Sequence, residues 1–512
     1  GEPMKSFMPR LPDRKTGKRA LSAVLCLALC LNLFGLYLPP LGGSAAASYS
    51  YTVLAKEDRL LPIDASATAS DNTAWYTTPT LARYVSAGYP ADAALGAETT
   101  PYIIETGLEL AYLATLVNGG NDFSGRHIKL IGSTRTQTQT ERVLDLIGTG
   151  VMLYQTSATG FTYLPCDTSF AGTGWIPIGN TAETPFNGRI YAAETAGIKI
   201  YNLSAYKDGK DTNAVMGLFG YLGPNARVEG LQLKDTQLFS LKAAFMGALA
   251  ASADPAAAIM QCSSQGLAIG ERSENAIGET LLHAYTVPDF TLRLETGNGT
   301  VGGLLGALTG TAVPAGDSAL TAAVTETIVQ GTQTSTAVGG IIGTLNIPGT
   351  ASFTMSNAVF SGTLKSVSKV GTGGLVGRNV SAAPVVIEGG GVSGLSTEAN
   401  MSAGEGNDGL SDCLNGLVPL SIWLNGYAGG GFVGYSAGAS SLTLRNIGAS
   451  AVHFQNSSAK DTTETFCQLG GVVGYAKDPT VTIEQVGSAA NPYRLLITGR
   501  MEGDSGGFGG II

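Results

Sequence analysis

The chain has 512 residues, of which 30 are basic and 39 acidic, so charged residues make up 13%, about half of the roughly 25% usual in a soluble domain. Glycine occurs 71 times, about twice its ordinary share of roughly 7%, while a hydrophobic content of 44% is enough to bury a core and speaks against disorder. The net charge of −9 speaks against a nucleic-acid binder, which needs a concentrated basic face.

The N-terminus reads as a processing segment. Lys5, Arg10, Arg14, Lys15, Lys18 and Arg19 precede a stretch without charge from Ala20 to Leu38. Pro39-Pro40 then breaks the pattern, and Ala45-Ala46-Ala47 offers a small-residue cleavage site. That order is the order of a secretory signal peptide, expected over 1–47. The alternative is a retained anchor, since the apolar run is long enough to span a bilayer. Without 1–47 the remainder carries 24 bases and 37 acids, a net −13. Membrane contact is therefore expected only through this segment. Cys166, Cys262, Cys413 and Cys467 lie beyond it with no C-x-x-C spacing, which gives a zinc site no support. They read as buried small hydrophobes.

Residues 48–100 show no sustained period and read as a loosely structured lead-in. A helix follows within 101–126. Thr106 and Glu109 form a capping box, Leu108, Ala111, Tyr112 and Leu116 keep helical spacing, and Gly119-Gly120 stop it. One amphipathic helix before a long β region can cover the open end of a strand stack.

From about residue 127 the pattern is short and β-like. An internal repeat dominates it. Gly302-Gly303-Leu304-Leu305-Gly306 recurs as Gly339-Gly340-Ile341-Ile342-Gly343 and as Gly373-Gly374-Leu375-Val376-Gly377. Further copies begin at Gly430, Gly470 and Gly509, and weaker ones stand at Gly217 to Gly220 and Ala244 to Gly247. The steps between the clear copies are 37, 34, 57, 40 and 39 residues, and the long one places an insertion at about 388–425. A second element follows several copies: Ser352 to Asn357, Ser441 to Asn446 and Thr480 to Ile483. Its alternation puts apolar side chains inward, and its Asn is expected to form a ladder of buried amides. Each rung cannot bury its face alone, so rungs must stack. Whether one repeat makes one long rung or two short ones stays open.

These residues resemble the GLUG-motif repeat proteins, exported and surface proteins of bacteria. The glycine motifs resemble the family signature, and Ile104 to Gly125 is similar to the segment that precedes such repeats. Trp175 to Asn180, Phe186-Asn187-Gly188 and Gly217 to Tyr221 are also similar to family elements. Two departures stand out: Gly132 to Thr136 replaces an acidic strand, and Ile190 to Ala196 lacks the family's Asp and His. The resemblance spans about 100–512 and implies an adhesin-like parallel β-helix with no catalytic residues of its own. The expected fold is all-β: a right-handed parallel β-helix, or β-solenoid, over 127–512 with a short N-terminal capping helix. The chain also reads as stopping within a repeat, at Ile512.

Sites of chemistry are few. Gly434-Tyr435-Ser436-Ala437-Gly438 fits a nucleophile elbow but lacks the helix that must follow. Gly503-Asp504-Ser505-Gly506-Gly507 looks like a serine-protease segment without a partner base or acid. His127, His283 and His453 are scattered, with no H-E-x-x-H, and His127 is expected at a strand edge. Ala403 to Ser411 resembles a calcium nonapeptide, with Asp408, Glu405 and Asp412 as possible calcium ligands; otherwise no cofactor is implied. Tyr427, Tyr435 and Tyr475 stand near glycine motifs and could form a stacking ladder for glycans or proteins, or pack against neighbouring rungs. The expected function is non-catalytic: adhesion, display or spacing at the cell surface, toward an extracellular glycan or protein. The alternatives are the non-catalytic arm of a larger surface hydrolase such as a metallopeptidase, or a polysaccharide-cleaving β-helix.

Overall fold

The computed structural model describes residues 69–134, 142–146, 152–157, 160–164, 173–193, 197–201, 203–207, 215–234, 236–240, 244–265, 292–294, 299–311, 318–331, 335–349, 351–394, 420–424, 428–438, 441–448, 450–456, 468–477, 480–487, 493–499 and 507–509. The expected signal segment, His283 and every cysteine but Cys262 lie outside them.

The repeat fixes the path of the chain. In one copy, Ala337–Gly339 joins an eight-stranded sheet and Ile342–Asn346 a seven-stranded one. Phe353–Ser356 and Val359–Ser366 both join a twenty-stranded sheet, and Thr372–Gly373 returns to the eight-stranded sheet. Stacking is parallel, and glycine motif lies on glycine motif: Gly302 pairs with Gly339, Gly339 with Gly373, Gly430 with Gly470 and Gly470 with Gly509. One repeat is therefore one rung, and the fold is a parallel β-helix. The weak copies are rungs too, since Met216 pairs with Met246 and Met246 with Val301.

The inward alternation builds one continuous core. Ile128, Ile190, Val228, Ile259, Leu320, Met355, Ile387 and Leu444 follow one another in register, rung after rung. All are buried, and each such side chain contributes roughly 1.5–3 kcal/mol when fully buried.

The glycine motif is a tight arc between two sheets. Leu304 and Leu305 both donate their N–H to the carbonyl of Ile341, at 3.1 and 2.9 Å. Ile341 and Ile342 do the same to Leu375, Leu375 and Val376 to Phe432, and Phe432 and Val433 to Val472. The backbone turns so sharply that a Cβ on Gly339 would strike the Ile342 carbonyl and lie 2.8 Å from the Gly377 nitrogen. The second glycine of the pair faces the core: a Cβ on Gly303 would lie 2.8 Å from Val324.

The Asn residues do not form the expected buried ladder. Asn357 (φ 52°) and Asn446 (φ 54°) are exposed and turn the corner between the two strand segments of their rungs. The rung between them uses Gly389 and Gly390 at the same corner (φ 68° and 71°), and earlier rungs use Gly230 or Gln261. Asn is chosen there because its short polar side chain tolerates left-handed backbone, not because it satisfies a buried amide. Strands occupy both ends of the expected insertion: Val385–Glu388 runs into it, and Gly391–Ser393 and Leu420–Leu424 lie just within its bounds.

The N-terminal end is more elaborate than one helix. The segment expected to be loosely structured carries α1 (Ala69–Thr77) and α2 (Ala82–Ser86), which bury Trp75 and Tyr84. Helix α3 (Gly107–Asn118) follows, capped as expected by Thr106 and Glu109 and ended at Gly119. Glu109 is 2% exposed. Its carboxylate accepts from the Thr106 nitrogen at 3.1 Å and takes both arms of the Arg83 guanidinium, at 2.6 and 2.7 Å. The same residue thus caps α3 and fastens α2 to it. Asn118, the last residue of α3, donates to the Pro177 carbonyl at 3.1 Å and accepts from the Asn180 nitrogen at 2.9 Å. Between those two lies Ile178, which bridges to Phe219 in the seven-stranded sheet. Helix α3 is in this way pinned to the first segment of that stack. Among the described residues no helix is long and apolar enough to cross a membrane.

Candidate functional site

The seven-stranded sheet carries the tyrosines singled out above. Its register places Thr344 beside Arg378, Arg378 beside Tyr435, and Tyr435 beside Tyr475. Tyr427 lies outside the described residues. The Tyr435 and Tyr475 rings stack, with centroids 5.2 Å apart and planes at 24°. The Arg378 guanidinium carbon lies 5.9 Å from the Tyr435 centroid. All three residues are half-buried.

The ladder exists, but it is not an open stacking platform. Tyr435 has Tyr475 one rung along and Arg378 one rung back, so its ring faces are occupied by its neighbours. What remains for a partner is ring edges, phenol hydroxyls and the guanidinium. The aromatic pair is worth about 0.5–1.5 kcal/mol and the exposed cation–π contact about 0.5–1 kcal/mol. Two rows on, Ala437 pairs with Lys477, which is exposed. Neither Arg378 nor Lys477 has a carboxylate partner among the described residues. Arg378 was invisible to sequence reasoning because 57 residues separate it from Tyr435; only the long rung brings them together.

The other candidates disperse. Ser436, the serine of the elbow-like motif, is fully buried and accepts a hydrogen bond from Asn379 at 3.1 Å. It points into the coil, where no substrate reaches. His453 sits on the strand Ala451–Asn456, half-buried, and burial lowers its pKa. His127 is not at an edge: it opens the strand His127–Leu130 and pairs with Arg189 on the next rung. Cys262 is buried and unpaired, and burial pushes its thiol up to about 12, which makes it inert at ordinary pH. Asp504, Ser505 and the proposed calcium ligands Glu405, Asp408 and Asp412 lie outside the described residues.

No family model matches the chain, and neither does any curated protein. One solved structure, a candidate immunoglobulin A1 protease from Bacteroides ovatus, aligns over 79% of this chain and 85% of its own, with 11% identity and a TM-score of 0.35. Similarity at that level transfers no activity to this chain.

Proposed function

We propose that the chain is an exported, non-catalytic repeat protein of the bacterial cell surface, whose rungs form a scaffold for adhesion to an extracellular glycan or protein. The observation that supports this reading is the Arg378–Tyr435–Tyr475 ladder. It is a partly exposed row of hydroxyls and one guanidinium, held one rung apart by backbone that the core fixes. A coil of this kind separates tasks: inward residues set the stack, and outward residues are free to vary with the partner. The apolar segment at 20–38 and the GLUG-like motifs favour export.

The test is binding of the full chain to arrays of extracellular glycans and proteins. Replacing Tyr435 and Tyr475 by Phe keeps the stacked rings and removes both hydroxyls. Adding Arg378→Gln removes the cation. Saturable binding that falls at least roughly tenfold in the triple variant, with a stability loss no larger than the roughly 0.5–1 kcal/mol of the cation–π contact, is the expected result, since a lost hydrogen bond to a charged group alone is worth about 1.5–3 kcal/mol. No binding to any array member, or equal binding by the triple variant, sinks the proposal.

A further inference from the structure

The opposite end of the coil carries a second outward feature on the twenty-stranded sheet. His127, Arg189 and Arg227 fall in one register column on three successive rungs. Lys129, Tyr191 and Glu229 form the next outward column. Arg189 and Arg227 are like charges directly side by side, an arrangement that ordinarily destabilises a sheet. Local rules of this kind are broken where function requires it.

The contacts within the strip are partial. The Arg189 guanidinium lies 5.3 Å from the Tyr191 centroid, and His127 meets the same ring edge-on at 6.4 Å. Arg189 reaches Glu98 at 3.7 Å and Glu229 at 3.4 Å, both loose pairs at half-exposed or exposed positions. Its Nε and the Nδ1 of His127 are buried and without a hydrogen-bond partner among the described residues, so the terminal guanidinium nitrogens are what Arg189 can present to a ligand. Arg227 is exposed and has no carboxylate partner among them either. Lys129 adds a third permanent cation in the next column, set against the two carboxylates of Glu98 and Glu229, in a chain whose net charge is −9.

We infer that the His127–Arg189–Arg227 column, with Tyr191 beside it, binds an acidic polysaccharide chain, one carboxylate to a rung. Adjacent rungs lie about 4.8 Å apart, on the order of the advance per sugar ring in an extended glycan. A guanidinium accepts a carboxylate in a fork of two hydrogen bonds, and a tyrosine edge suits a sugar hydroxyl. Nucleic acid fits less well, because its denser phosphates would meet Glu98 and Glu229 and the negative remainder of the chain. The strip is separate from the tyrosine ladder and does not rest on the reading given above.

The experiment measures the full chain binding to immobilised polygalacturonate, at low salt and at about 0.15 M, where charges are screened beyond about 8 Å. Saturable binding weakened by salt is expected. Arg189→Gln with Arg227→Gln should weaken it at least roughly tenfold with an unchanged melting curve, and Glu98→Gln should tighten it roughly twofold, as removal of a competing surface charge does. Tyr435→Phe with Tyr475→Phe should leave it unchanged. Absence of binding at low salt, equal binding by the double arginine variant, or equally tight binding to single-stranded DNA or polyglutamate would overturn the inference. So would loss of binding in the tyrosine variant, which would move the site to the ladder.

Discussion

The rings of Tyr435 and Tyr475 stack 5.2 Å apart although forty residues separate them along the chain. The stack exists because Val433 pairs with Val473 two residues earlier and the two glycine motifs lie in register. Tyr435→Ala removes the ring pair and the Arg378 contact, and should destabilise this part of the coil by about 1–2 kcal/mol. Tyr435→Phe should leave the melting temperature where it is. A melting curve for each variant checks the pair; equal loss in both would mean that the hydroxyl, not the stack, holds the rungs.

The glycine arcs make a sharper prediction. A Cβ at Gly339 meets the Ile342 carbonyl, while one at the exposed Gly448 meets only the Gly390 oxygen, at 3.0 Å. Gly339→Ala is expected to destabilise by about 1–3 kcal/mol or more, as overpacking does, and to increase proteolysis near the arc. Gly448→Ala should cost less, because its one tight contact, with the Gly390 oxygen, is relieved by a shift of a few tenths of an ångström. Limited proteolysis with peptide mapping reads both.

The corner residues can be tested by substitution in both directions. Asn446 turns at φ 54°. Asn446→Gly should be neutral or slightly stabilising, because glycine takes that backbone freely. Asn446→Val should destabilise by about 1–2 kcal/mol, because a β-branched side chain opposes left-handed backbone. If the amide instead satisfied a buried ladder, the glycine variant would be the damaging one.

His453 gives the chain a pH dependence. Burial lowers its pKa below the ordinary value of 6.5, so the folded state resists a proton that the unfolded state takes up. The stabilisation from this group is complete above about pH 6.5 and is lost as the pH falls toward the lowered folded value. Denaturant midpoints at pH 7.5 and pH 5.5 should therefore differ more in the native chain than in His453→Gln. An identical difference in both would remove His453 as the cause.

Local signals were legible in the sequence and long-range ones were not. The capping box of Thr106 and Glu109 spans four residues, so its pattern names the helix start directly. That Glu109 also grips Arg83 could not be read, because α2 and α3 meet only in the folded chain. Helices α1 and α2 were missed because nine and five residues are too short to show a period and owe their order to the burial of Trp75 and Tyr84. The glycine motif announced a repeat, but its reason, two N–H groups converging on one carbonyl of the next rung, is a property of the stack. The same holds for Arg378 and for the His127–Arg189–Arg227 column. Outward neighbours in a coil are tens of residues apart, and no window of sequence contains them.

The tyrosine ladder and the glycine arcs depend on one repeat making one rung. The most direct measurement pairs cysteines across rungs in a background where the native cysteines are replaced. Tyr435→Cys with Tyr475→Cys places two thiols on directly paired residues, within the roughly 4.4–6.8 Å between Cα atoms that a disulfide requires. Mild oxidation should close that bond in the folded chain, while Tyr435→Cys with Lys477→Cys, two residues out of register, should stay reduced. Closure of the second pair and not the first would contradict the register, and with it the ladder.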